Sequence, residues 1–71
     1  MDKPIGEQIK AARVERGMSQ AVLAEELGMH ESQVSRLENG KTNPTIRTLR
    51  RVAEVLGYKL IVELKEVSDV L

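Results

Sequence analysis

The sequence predicts a mainly α fold: a bundle of four to five short helices, followed by a C-terminal β-strand that pairs across a dimer. Three observations predict it. Apolar residues recur at spacings of three and four in short runs, and the runs stop at Gly17, Gly28, Gly40 and Gly57. A small residue, Ala24, stands four positions before Gly28, where a neighbouring helix could approach closely. After Gly57 the apolar period changes to two.

Each element has its own signals. Pro4 suits a first helical turn, and Ile5, Ile9, Ala12 and Arg16 follow at helical spacing until Gly17. Ser19 is a good N-cap for a second helix over Gln20–Leu27, with Val22, Leu23 and Leu27 as its apolar side and Gly28 at its end. The third helix runs over Glu31–Glu38 and closes at Asn39-Gly40, two residues tolerant of left-handed geometry. Asn43-Pro44 reads as a cap followed by a first-turn proline. Ile46, Leu49, Val52, Ala53 and Leu56 then describe a fourth helix that Gly57 terminates. Met18 and Met29 suit turn packing at the edge of the core. There is no low-complexity linker and no internal repeat, so residues 1–57 form one unit and residues 58–71 a tail that serves dimerisation.

In that tail Tyr58, Leu60, Val62 and Leu64 alternate with Lys59, Ile61, Glu63 and Lys65, which favours a strand with one apolar face. Leu60, Leu64, Val67 and Leu71 also fall on a helical stripe, and helix stays the second reading. A lone strand leaves its backbone donors and acceptors unpaired. The simplest partner is the same segment of another copy, antiparallel across a two-fold axis, which makes a homodimer.

Composition excludes several function classes. With 71 residues the chain is near the size at which a single core is marginal, so added stability from oligomerisation is expected. There are no cysteines and only one histidine, which leaves no disulfide and no zinc site, and no metal or cofactor is expected. No apolar run reaches membrane-spanning length and no basic-then-apolar leader opens the chain, so the expected setting is cytoplasmic, without a membrane partner. Tyr58 is the only aromatic residue, which argues against single-strand or RNA binding on stacking platforms. His30 has no nucleophile or carboxylate arranged around it, and an enzyme is not expected. Lys41-Thr42 after Gly40 imitates the end of a nucleotide-binding loop, but that loop needs a glycine where Ser35 stands.

The stretch Gln20–Leu37, QAVLAEELGMHESQVSRL, carries the functional signal. Ala24 admits a second helix, Gly28 supplies the positive φ of a sharp turn, and Val34 and Leu37 return an apolar face. These offsets describe a helix-turn-helix, whose second helix is built to enter a DNA major groove. Charge dissents: the net charge is +0, whereas DNA binders usually carry a positive excess. Lys41, Arg47, Arg50 and Arg51 fall close together, while Glu25, Glu26, Glu31 and Glu38 load the middle. The basic face is small, and weak, salt-sensitive non-specific binding is expected.

Over about Ile5 through Leu56 the chain resembles the XRE, or Cro/cI-type, helix-turn-helix family. The resemblance rests on IKAARVERGMSQ, LAEELG, SRLENGKTNP and LRRVAEVLG. It implies a lambda-repressor-like bundle of five short helices, with the last two, near Thr45 and before Gly57, separate or fused. It also implies sequence-specific binding to double-stranded DNA, usually as a dimer on a palindromic operator. By resemblance, Gln20 contacts phosphate, and Glu31, Ser32, Ser35 and Arg36 reach base edges. Gln33, Asn39, Lys41 and Thr42 match positions near the phosphate backbone, and Arg13 and Glu38 match a pair that locks the first helix to the third. His30 stands where a Ser or Thr cap is usual, so that helix start is less well capped or His30 itself faces phosphate. Independent chemistry agrees for Arg36, which can reach guanine O6 and N7 bidentately, and for Gln33, which can meet phosphate or adenine. Glu31 suits the helix dipole but opposes phosphate unless it accepts from cytosine N4.

The tail, LGYKLIVELKEV, resembles the end of HipB-type antitoxins. That resemblance implies an autoregulatory repressor that is also the antitoxin of a toxin–antitoxin pair, with a toxin protein as partner. The alternative is a protein-binding toxin inhibitor with only secondary DNA contact.

Overall fold

The computed structural model describes residues 3–67. Four helices follow one another: α1 (Ile5–Glu15), α2 (Gln20–Leu27), α3 (Glu31–Glu38) and α4 (Ile46–Leu56). The architecture is mainly α, as expected. The two helices that the resemblance left separate or fused are one, α4.

Local chemistry accounts for the helix ends. The Ser19 Oγ accepts from the Val22 amide at 3.1 Å and starts α2. Gly28, at φ 69°, ends it: the Met29 amide donates back to the Ala24 carbonyl at 2.9 Å. A residue with a Cβ would be strained there, so the sharp turn into α3 depends on glycine. Two expected caps shift. Thr45, not Asn43, caps α4, its Oγ1 accepting from the Thr48 amide at 3.1 Å. Pro44 therefore lies outside the helix, and Pro4 likewise stands at the N-cap of α1 rather than inside it.

The core joins all four helices through Ile9, Ala12, Leu23, Ala24, Leu27, Val34, Leu37, Val52 and Leu56. Met18 and Met29 pack on its edge with Leu49 and Val55. Some residues expected on apolar stripes are exposed instead: Val22 and Ile46 are each 45% exposed and Ile5 40%. Ile5 and Ile46 open their helices, where a helix end overhangs its neighbours. Val22 belongs to a two-turn helix with apolar residues on several sides, and Leu23, Ala24 and Leu27 take the inward one.

Gly6 is buried where α1 crosses the end of α3. A Cβ built on it would lie 2.6 Å from the carbonyl oxygens of both Leu37 and Glu38. The two backbones meet there with no room for a side chain between them.

Beyond α4 the chain leaves the bundle. Arg16 reaches from the end of α1 to α4, where its Nε donates to the Leu56 carbonyl at 2.7 Å. Its guanidinium lies 5.0 Å from the centroid of the Tyr58 ring, and the Tyr58 hydroxyl donates to Glu15 at 3.2 Å. This clasp sets the direction in which the tail departs. Residues 58–67 form neither a helix nor a ladder within the chain. The helical alternative for the tail is thus not adopted among the described residues; Leu71 and the rest of residues 68–71 lie outside them. Leu60 is half-buried beside an open cleft of about 930 Å³ between α1 and α4, while Tyr58, Val62 and Leu64 are exposed. No described helix is long and apolar enough to cross a membrane.

Candidate nucleic-acid interface

The eight residues of α3 divide sharply by exposure. Val34, Leu37 and Glu38 are buried, Ser35 is half-buried, and Glu31, Ser32, Gln33 and Arg36 are exposed. The inward residues hold α3 on α2 and α1. The outward side therefore carries Glu31, Ser32, Ser35 and Arg36 together, a polar surface one carboxylate, two hydroxyls and one guanidinium wide. Glu31 lies in the first turn and Arg36 in the last, each complementing the helix dipole.

Capping of α3 differs from the expectation of a weak start at His30. The His30 amide donates to the Oε1 of Gln33 at 2.8 Å, so the third residue of the helix reaches back to close its own N-terminus. The imidazole is exposed. Gln33, matched by resemblance to a backbone-contacting position, spends its oxygen on this cap and keeps its amide NH2 outward-capable.

Beneath α3 lies a buried polar network. Arg13 Nε donates to Glu38 Oε2 at 2.6 Å and Nη2 donates to Oε1 at 3.0 Å, a two-pronged pair. Arg13 Nη1 also donates to the Met18 carbonyl at 2.8 Å, and Gln20 Nε2 donates to Glu38 Oε1 at 3.0 Å. The network joins α1, the turn after it, the start of α2 and the end of α3. Every buried side-chain polar atom among the described residues has a partner. Burial pushes the Glu38 carboxyl up, but hydrogen bonds from Arg13 and Gln20, with the charges of Arg13 and Lys10, hold it below the usual carboxylate range. The hydrogen bond to Glu38 raises Arg13 in turn, against its own desolvation.

The other sequence-predicted positions are placed as follows. Gln20 is half-buried, with its amide nitrogen on Glu38. The Asn39 amide turns back onto α3, donating to the Ser35 carbonyl at 2.9 Å. Lys41 and Thr42 are exposed in the loop after α3, and Lys41 closes that helix through its own amide, which donates to the Arg36 carbonyl at 2.9 Å. Arg47, Arg50 and Arg51 are exposed on α4. Sequence reasoning missed Gly6, the Arg16 clasp, the bond from Gln20 to Glu38 and the Gln33 cap. A glutamine three residues after a cap position is a readable signal for the last. A glycine in the first turn of a helix, where it neither caps nor turns, hints at the first.

Comparison with known proteins agrees with this architecture. The family model described as Helix-turn-helix matches residues 9–62. The chain is 41% identical over 66 residues to the HTH-type transcriptional regulator SinR of Bacillus licheniformis, covering 92% of this chain and 60% of that protein. It is 38% identical over 56 residues to the immunity repressor protein of Bacillus phage phi105, covering 79% of this chain and 39% of that protein. Among solved structures it is similar to the master regulator for biofilm formation SinR in complex with DNA, with 42% identity and a TM-score of 0.71 over 79% of this chain and 90% of that one. The chain thus spans only 60% and 39% of the two curated relatives.

Proposed function

The chain belongs to the XRE-type helix-turn-helix family, and from that premise we propose that it is a sequence-specific, double-stranded DNA-binding transcriptional repressor. It acts in the cytoplasm as a homodimer on a palindromic operator, with half-sites about 34 Å apart, and represses its own promoter. One observation carries the reading. The outward side of α3 gathers Glu31, Ser32, Ser35 and Arg36, while the buried Arg13–Glu38–Gln20 network holds that helix at a fixed angle to the rest. A rigid helix with a polar outer side is what a major groove admits. The relative SinR was solved in complex with DNA, which supports the DNA-binding part of this reading.

In this proposal Arg36 reads guanine and Glu31 reads cytosine N4, with Ser32 and Ser35 beside them. Gln20, His30, Gln33, Lys41 and Thr42 position the backbone. Asn39 contributes there only if its amide leaves Ser35. A gel-shift series across salt, comparing the chain's own promoter with random DNA, tests the reading. The expected result is a promoter complex tighter than the random one by about a thousandfold or more. Arg36→Ala should cost roughly 1–3 kcal/mol and relax base preference at one position. Equal binding to both DNAs overturns the repressor reading.

The net charge of +0 favours a second reading, an antitoxin whose main contact is a toxin protein and whose DNA contact is secondary. Co-expression with the product of the adjacent reading frame separates the two: a stable complex that survives loss of Arg36 supports the antitoxin.

A further inference from the structure

The charges of α4 run against its dipole. In α1 and α3 an acid lies in the first turn and a base in the last, Glu7 with Arg13 and Glu31 with Arg36, as helix electrostatics favour. By contrast, α4 has no acid in its first turn and no base in its last. Arg47 stands in the first turn instead, Arg50 and Arg51 follow, and Glu54 comes only near the end. All four are exposed. Spacings of three and four place the arginines within an arc of about 100°, on the side opposite buried Val52 and Leu56. No other run of five residues in the chain holds three cations, and this one holds no acid. Among the described residues the ion pairs are Arg13–Glu38 and Lys65–Glu63, so the three guanidiniums stand unpaired even with Glu54 one turn away.

We propose that this stripe is a second anion-binding surface, which grips the phosphate backbone of duplex DNA beside the groove that α3 enters. Several observations select phosphate. The exposed side of α3 brings no net charge, because Glu31 offsets Arg36, so most of the backbone neutralisation falls to residues outside α3. The loop that carries Lys41 and Thr42 leads from α3 to α4, which sets the stripe next along the chain from the backbone contacts of the proposed function. All three residues are arginine, whose planar fork meets phosphate oxygens two at a time. An acidic protein surface fits less well. A protein interface has a desolvated apolar centre, whereas the outer arc of α4 has only Ile46 at its edge. Arg47 is repelled by its own helix end, and an incoming anion cancels that repulsion.

Such a stripe reconciles a net charge of +0 with a DNA-binding fold, because three of the eleven cations are gathered on one face. The inference rests on the DNA-binding part of the proposed function and not on sequence specificity, since phosphate contacts carry no base information.

Fluorescence anisotropy of the full chain with a random and a promoter duplex, repeated across salt, tests it. At about 0.9 per phosphate contact, replacing the three arginines together by glutamine should make the slope of log affinity against log salt shallower by about 2.7. The advantage of the intact chain over that variant should then shrink about fortyfold between roughly 50 and 200 mM salt. The loss should be equal for both duplexes, unlike that of Arg36→Ala. An unchanged slope overturns the proposal and leaves the stripe to an acidic protein. No duplex binding by the intact chain overturns it together with the proposed function, whereas equal binding to both duplexes overturns the repressor reading alone. As a second readout, Arg47→Glu should melt at a higher temperature than the intact chain while binding DNA more weakly. A lower melting temperature gives Arg47 a structural role and overturns the proposal.

Discussion

The buried junction of α1, α2 and α3 and the exposed tail after Gly57 follow opposite rules of completion. At the junction each donor and acceptor of Arg13, Gln20 and Glu38 that is buried has a partner in the same chain. In the tail the backbone of residues 59–67 has none among the described residues. One region is finished by folding, whereas the other is left open and would be finished only by the association proposed above. Substitutions at the junction should therefore be felt by a single molecule, and those in the tail should depend on concentration.

The largest break in that contrast is expected at the buried pair. Glu38→Ala leaves the Arg13 guanidinium desolvated and uncompensated and should cost about 3–5 kcal/mol of folding stability, read in denaturant as a loss of the same size at high and low protein concentration. Next comes Gly6→Ala. Its new methyl meets two carbonyl oxygens at 2.6 Å, both of them backbone, so α1 and α3 must separate. The expected loss is about 1–3 kcal/mol, despite the better helix propensity of alanine.

A smaller and sharper effect is acid sensitivity. The folded Glu38 carboxyl lies below its unfolded value, so its contribution is fully present above about pH 4.3 and is lost as pH falls through the lower folded value. Midpoints measured from pH 7 to pH 3 should fall below about pH 4.3, and Glu38→Gln should flatten that part of the curve. The smallest effect is expected from Arg16→Ala, about 1 kcal/mol or less, because its partners are partly exposed. Its signature is instead a gain in backbone mobility at Tyr58, visible in amide relaxation, with the core residues unchanged.

Much of this fold was legible because its helix ends are chemically marked. Ser19 and Gly28 bracket α2, and the turn residues Asn39-Gly40 close α3, so both helices span the residues that the pattern predicts. Thr45 was missed in favour of Asn43 because Pro44 imitates a first-turn proline equally well two residues early. Val22 was misplaced because a helix of two turns with apolar residues on several sides has no unique inner face until its neighbours dock. The outward side of α3 was legible for the complementary reason: Val34 and Leu37 can point only inward, and the polar residues between them are left outside. Cross-element bonds were not. Nothing in local sequence tells Gln20 to donate to Glu38, or Arg16 to cover a carbonyl forty residues away.

That last contact imposes an order of events. Arg16 can grip Leu56 and stack on Tyr58 only after the first and last helices have met, a closure spanning most of the polypeptide. Until then the sticky end has no heading and cannot offer its edge in register. In the proposed dimer, mature subunits would thereby be sorted from half-made ones before joining.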